Sequence, residues 1–325
     1  MYNSSRRPIV ITGCPRSGTT WVGTTVGNSD EVFYLYEPFN DEAPHHLNLA
    51  ERYIYVPPDA PRTTLNEVEA MVALGRLRDR LTSAARAVYL GKNFREELAP
   101  HLAARELVRF PAKFARAKRV CIKDPLAFFA AEWLARRYDA QVVVTVRHPA
   151  GMVSSYLKLG WACEAESLLR QPGLRAEFTA PLRAEIERFR EHPEDRLGGL
   201  ILQWKLFAQA AVELHRRHPE WLFVAHEELC QSPVDYFSRI FSFLDLNFSE
   251  GIKQKILADT TAKEVDPQQH QQHALQRDSR ALADAWQKRL DGDAIERVET
   301  ETAELWQQLL GLVWKCGQPL PGRAA

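Results

Sequence analysis

Arginine, serine and threonine crowd into one short run of this chain, Pro15-Arg16-Ser17-Gly18-Thr19-Thr20-Trp21. A cation, hydroxyls and the amides of a glycine-bounded loop are the groups that hold a phosphate-like anion. Pro8 to Thr12, just upstream, is an apolar β-forming run, and Thr19 to Gly27 reads as a short helix. Strand, loop and helix N-terminus in that order aim backbone N–H groups and the positive end of the helix dipole at one spot.

Gly13 and Gly18 have the spacing of a Walker A loop, G-x-x-x-x-G-K-[ST], but Thr19 stands where the Lys belongs. A kinase or NTPase needs that Lys at the β and γ phosphates and a Mg²⁺ held by a second carboxylate. A nucleotide whose reacting end is not a polyphosphate suits the loop better. Arg147 and Ser155 form a second candidate grip. An Arg at a strand end and a hydroxyl on the next helix can hold one phosphate from two sides, the guanidinium bidentately. The alternative for the pair is a surface ion-pair residue and a surface serine.

The elements that position these residues alternate between strand and helix. Val32 to Tyr36 is a strand stopped by Glu37-Pro38, because a residue before Pro is pushed towards extended backbone. Glu37 therefore sits at a strand's C-terminal end, where open α/β sheets keep their ligands. Residues 41–61 are irregular, with five prolines from Pro38 to Pro61 and the pair His45-His46. Residues 65–117 are helical in period and rich in Arg and Lys, which reads as a solvated face or as a surface for an anionic substrate. Val120 to Lys123 is a strand closed by Asp124-Pro125, with a helix over 126–138. Gln141 to Arg147 is a run of apolar β-formers that suits a strand buried on both faces of a parallel sheet. Pro149 opens the helix that carries Ser155. Residues 160–200 are polar and helical, 200–218 form a long amphipathic helix, and Trp221 to Ala225 is a strand. A helix then ends at Phe243-Leu244, and the tail over 281–313 is helical. The expectation is one α/β domain over 1–325: a central parallel β-sheet flanked by helices, P-loop NTPase-like, with helical inserts at about 41–118 and 160–200.

Lys plus Arg equals Asp plus Glu at 42 each, so nothing global points to a nucleic acid. Cys14, Cys121, Cys163, Cys230 and Cys316 are scattered without C-x-x-C spacing, which reads as free thiols in a reducing compartment. No apolar stretch has the length of a signal peptide or membrane anchor, so the expected location is cytoplasmic. No His/Cys/carboxylate cluster has metal-ligand spacing.

Two stretches, in order, resemble the sulfotransferases that use 3′-phosphoadenosine 5′-phosphosulfate (PAPS). Pro15 to Trp21 is similar to the family's 5′-phosphosulfate loop, Pro-(Lys/Arg)-Ser-Gly-Thr-Thr-Trp. Val146 to Tyr156 (Val-Arg-His-Pro-Ala-Gly-Met-Val-Ser-Ser-Tyr) is similar to its 3′-phosphate segment, with an Arg and a Ser eight residues later. Ala225 to Leu229 with Pro233 and Phe243-Leu244, and Trp286 to Leu290, resemble further family stretches. The resemblance implies that Arg16, Ser17, Gly18, Thr19 and Thr20 hold the 5′-phosphosulfate, that Trp21 stacks on adenine, and that Arg147 and Ser155 hold the 3′-phosphate. A closing cation is expected from Lys263, Arg277 or Arg280, with Arg277 taken as the contact.

Sulfuryl transfer needs a base for the acceptor hydroxyl and cations where the leaving oxygen gains charge. The small-molecule branch has a catalytic His in Lys-Thr-His; here the stretch is Lys123-Asp124-Pro125, and that His is absent. The carbohydrate and protein-tyrosine branches instead have a Glu soon after the loop, a position that Glu37 fits. Glu37 is the expected base, with Asp124, His45 and His46 as alternatives. Lys123 is expected to neutralise charge beside Arg16, or else to form a salt bridge near Asp124. The resemblance implies PAPS as co-substrate, no metal, and a small-molecule or glycan hydroxyl acceptor. A P-loop kinase or a non-catalytic nucleotide-binding protein is the alternative.

Overall fold

The computed structural model describes residues 7–43, 46–65, 68, 119–260 and 283–322. Its centre is a five-stranded sheet in the order β2-β3-β1-β4-β5, every pairing parallel. The strands are β1 (Ile9–Gly13), β2 (Val32–Tyr36), β3 (Arg119–Lys123), β4 (Gln141–Val146) and β5 (Leu222–Ala225). The helices are α1 (Thr19–Val26), α2 (Ala131–Tyr138), α3 (Pro149–Leu159), α4 (Ala165–Leu169), α5 (Pro172–Phe178), α6 (Arg183–Glu191), α7 (Arg196–Arg217), α8 (His226–Gln231), α9 (Pro233–Phe243), α10 (Glu250–Thr260) and α11 (Gly292–Leu312).

Successive side chains on a strand point to opposite faces, and here both faces are covered. Ile9, Ile11 and Val143 face one side with Val22 of α1 and Phe237 and Phe241 of α9. Val10, Val142 and Val144 face the other with Trp133 of α2 and Trp204 and Phe207 of α7. The succession of valines in β4 is therefore a record of two cores, one per face. Helix α7 crosses the second face and packs on α3 and α11.

Register aligns the strand ends. Ile11 pairs with Lys123, Gly13 with Thr145, and Tyr36 with Lys123. The loop after β1, Glu37 after β2, Lys123 ending β3, Arg147 after β4 and His226 after β5 all stand at the carboxyl edge of the sheet. That edge is where open α/β sheets take ligands.

The structure differs from the sequence reading at several helix boundaries. The helix expected over 126–138 begins as a 3-10 segment, Pro125–Ala130, because the Asp124 carboxylate accepts from the Leu126 N–H and Pro125 fixes the first turn. The helix expected to run to Phe243-Leu244 is broken into α8 and α9 at Ser232-Pro233, since Pro has no N–H to continue the ladder. Helix α7 starts earlier than expected, at Arg196, with Asp195 capping the Gly198 N–H at 2.9 Å. The insert at 160–200 is helical, as α4, α5, α6 and the first turn of α7. Of the insert at 41–118, the described residues 46–65 are irregular apart from a 3-10 turn at Arg62–Leu65, and 69–118 lie outside the described residues.

Candidate active site

The loop after β1 turns on two left-handed residues, Arg16 at φ +69° and Gly18 at φ +95°. Gly18 also abuts a neighbour: a Cβ there would lie 2.7 Å from His226 Nδ1. Ser17 is fully buried and faces inward. Its N–H donates to the Cys14 carbonyl at 3.1 Å, its hydroxyl donates to the same carbonyl at 2.5 Å, and it shares a hydrogen bond of 2.6 Å with Thr145 Oγ1. Ser17 thus ties the loop to β4; Thr19 is buried as well, and Arg16 and Thr20 are half-buried. No side chain caps the start of α1, so its first-turn amides, which have no intrahelical acceptor, stay available to an anion.

The two grips expected from sequence are one cluster. Arg147 Nη1 donates to the Arg16 carbonyl at 2.8 Å, and Arg16 Nε donates to Ser155 Oγ at 2.9 Å. Arg147 and Ser155 are both buried, which excludes the surface-residue alternative for the pair. The Arg147 carbonyl accepts from Trp204 Nε1 at 3.1 Å, fixing the strand end to α7. Arg147 Nε is buried without a hydrogen-bond partner. Burial lowers the guanidinium from its ordinary value, the Glu227 carboxylate opposes that, and the like charges of Arg16 and Arg289 reinforce it. Positive groups held together with a donor unspent fit an anion, and the residues present suit a nucleotide phosphate.

Beside this cluster, Lys123 Nζ forms an ion pair with Glu37. The same Nζ donates to Thr20 Oγ1 at 3.2 Å and lies 3.8 Å from the centre of the Tyr36 ring. Lys123 has no exposure to solvent, and burial lowers its ammonium from the ordinary value while Glu37 opposes that shift. Glu37 has φ +46°, and its other oxygen accepts from Asn40 Nδ2 at 2.8 Å. The salt bridge given as the alternative role of Lys123 is present, and its partner is Glu37.

Asp124, the alternative base, is wholly buried. Burial raises its carboxyl to about 7, with the amides of Phe39 and Leu126 opposing. Its two oxygens accept those amides at 2.5 and 2.8 Å, so it pins the chain after Glu37 to the start of the 3-10 segment. His46 is exposed, with Nδ1 2.9 Å from the Ala43 carbonyl. His45, Lys263, Arg277 and Arg280 lie outside the described residues.

Trp21 packs edge-on against Phe237 and His226, with centroids 5.3 and 6.5 Å apart. His148 lies flat on Trp286 at 4.8 Å and 9°, and edge-on to Trp306. The C-terminal Trp286 to Leu290 stretch is thereby seated over the strand end that bears Arg147.

A sequence profile described as the sulfotransferase family matches residues 8–250, from just before β1 to the first residue of α10. The chain belongs to that family. A carbohydrate sulfotransferase 1 from Danio rerio is 23% identical over 350 residues, covering 95% of this chain and 79% of that protein. Among solved structures, the sulfotransferase domain from the curacin biosynthetic pathway has a TM-score of 0.45 at 14% identity, covering 92% of this chain and 98% of its own. Sulfotransferase STF9 from Mycobacterium avium has a TM-score of 0.43 at 15% identity, covering 98% and 79%. The chain is thus a sulfotransferase-family enzyme built on a parallel sheet.

Four residues in contact with the candidate site escaped the sequence reading. Asn40 on Glu37, Glu227 with an oxygen 3.1 Å from the His148 N–H, His226 under Gly18 and Arg289 acting on Arg147 join the site only through tertiary contacts. The signal for Arg289 was present in the Trp286 to Leu290 stretch, and that for His226 and Glu227 in Ala225 to Leu229.

Proposed function

We propose that this enzyme transfers the sulfuryl group of PAPS to a hydroxyl of a carbohydrate-type acceptor. The observation that carries the reading is the cluster of Arg16, Arg147 and Ser155, in which the Arg147 guanidinium bonds the Arg16 carbonyl, the Arg16 guanidinium bonds Ser155, and the buried Arg147 Nε is unspent. Arg16, Ser17, Gly18, Thr19, Thr20 and the first amides of α1 hold the 5′-phosphosulfate, and Trp21 lies against adenine. Arg147 and Ser155 hold the 3′-phosphate, which distinguishes PAPS from ATP. Arg277, outside the described residues, is read as a further nucleotide contact.

In the reaction an acceptor oxygen–sulfur bond forms and the bond from sulfur to the phosphate oxygen breaks, giving PAP. Glu37 takes the hydroxyl proton. Lys123, paired with Glu37 and bonded to Thr20, and Arg16 neutralise the charge that develops on the transferring and leaving oxygens. This chemistry uses the enzyme for positioning and charge and draws on no metal.

The acceptor class is supported by the name of the Danio rerio relative, and the inserts at about 41–118 and 160–200 are read as the acceptor side. The whole of 1–325 is read as one domain, supported by the packing of α11 on α3 and α7. The partners are small-molecule or glycan acceptors and no nucleic acid. No helix among the described residues is long and apolar enough to cross a membrane. A cytoplasmic setting is supported by five free thiols.

Calorimetric titration with PAP tests the root of the reading, and absence of binding overturns it. Incubation with PAPS and a panel of glycans, followed by mass spectrometry for a sulfate-sized gain, tests the acceptor. PAP binding without sulfation of any acceptor would favour a non-catalytic nucleotide binder.

A further inference from the structure

Helix α3 offers Arg16 a second contact besides Ser155. The helix ends at Gly160, whose φ of +68° is the left-handed value that closes a Schellman turn. The Trp161 N–H donates back to the Tyr156 carbonyl at 3.1 Å. That turn lays the Trp161 ring against Tyr156, edge to face, at 5.3 Å and 89°. Arg196, at the start of α7, donates from Nη2 to the Trp161 carbonyl at 3.2 Å. The ring fixed in this way has the Arg16 guanidinium carbon 5.4 Å from its centre, inside the range of cation–π attraction.

We infer that Trp161 is a positioning residue, whose ring face holds the Arg16 guanidinium in the orientation that meets the anionic end of the nucleotide. The inference rests on the proposed function for the nucleotide itself. Its physical reason lies in the crowding of like charge. Arg147 stands beside Arg16 and repels it, which favours an Arg16 side chain swung away from the site. A ring face attracts the guanidinium through its quadrupole and so counters that displacement. Helix α3 and the turn that ends it therefore grip one guanidinium at two points: Ser155 Oγ receives its Nε at 2.9 Å, and Trp161, just past the helix end, receives its face.

The test uses the full chain and the variants W161F, W161L, R16K and the double variant R16K/W161L, each first checked for wild-type circular dichroism. The Arg16 side-chain Nε–Hε resonance, assigned by its loss in R16K, reports the clamp without nucleotide. It is expected upfield-shifted by the ring in wild type and W161F, and moved towards the free-arginine position in W161L. With PAP as the probe, W161L is expected to bind about 5- to 10-fold more weakly, W161F within about twofold, and R16K/W161L no more weakly than R16K. An unmoved resonance in W161L, or equal PAP losses in the Arg16 and R16K backgrounds, overturns the inference. If the wild type binds no PAP, the functional reading has failed, and the resonance alone decides whether Trp161 holds Arg16.

Discussion

Replacing His148 with Phe should make the enzyme less sensitive to acid. His148 follows Arg147 directly and is sandwiched by Trp286, flat against it at 4.8 Å, and Trp306. Burial lowers its imidazole from 6.5 to about 4, the Arg147 charge adds to that, and Asp284 opposes it. The folded protein therefore keeps this ring neutral where an unfolded chain protonates it. The associated stability is complete above pH 6.5 and is lost as pH falls towards 4, because the unfolded chain takes up the proton first. The gap between the two values, at about 1.4 kcal/mol per pH unit, is worth roughly 3 kcal/mol at its limit. Part of the ring edge reaches solvent, so about 1–2 kcal/mol is the expected share at pH 5. Phe preserves the stack, and because Nδ1 has no hydrogen-bond partner the exchange removes no bond at that atom. Urea unfolding from pH 7.5 to 5 measures the difference. Wild type should lose about 1–2 kcal/mol more than H148F over that range, while the other histidines, His226 included, cancel between the two proteins. Parallel stability curves would refute the assignment of a neutral, stacked His148.

Other variants probe the same edge of the sheet. Glu37→Gln should lower kcat by about 10²-fold or more with PAP affinity little changed, read by steady-state kinetics and calorimetry; near-normal turnover would move the base elsewhere. Lys123→Met should cost about 3–5 kcal/mol in urea unfolding by stranding a buried Glu37, and Glu37→Gln added to it should restore part of that loss. Arg147→Lys should cut the preference for PAP over AMP by about 10-fold or more, since an ammonium cannot reproduce the guanidinium fork; equal losses for both nucleotides would argue against a 3′-phosphate role. Ser17→Ala should cost about 1–2 kcal/mol of stability, because its hydroxyl joins the loop to Cys14 and Thr145; an unchanged melt would show that the loop is held otherwise.

What could be read from sequence was what is written locally. The valines of β4 announce a strand buried on both faces, the Gly18 loop announces an anion cradle, and Arg147 with Ser155 spans a strand end and two turns of helix. What could not be read were contacts across long separations. Lys123 meets Glu37 only because β3 lies beside β2 in register, with Tyr36 opposite Lys123. Arg16 meets Ser155 only because Gly13 pairs with Thr145 and brings the end of β1 to the end of β4. Ser17 reads from sequence as one hydroxyl of a polar loop, and only the fold shows that it also braces the loop against Cys14 and Thr145.

The Lys absent at position 19 acquires a physical account from the same register. In a Walker A loop one flexible ammonium is delivered by the loop itself. Here cations come from three sources around it: Arg16 within the loop, Lys123 from the adjoining strand with its Nζ on Thr20 Oγ1, and Arg147 from the strand on the other side with its Nη1 on the Arg16 carbonyl. Two of these are buried strand-end residues held by neighbours, so their charge is fixed in place before a ligand arrives. Preorganised charge of that kind stabilises a transition state without the cost of reorienting it during the reaction. The substitution at Thr19 thus moves charge from a mobile side chain to the rigid edge of the sheet, which is the arrangement expected of a site that positions one sulfuryl group between a base and a leaving phosphate.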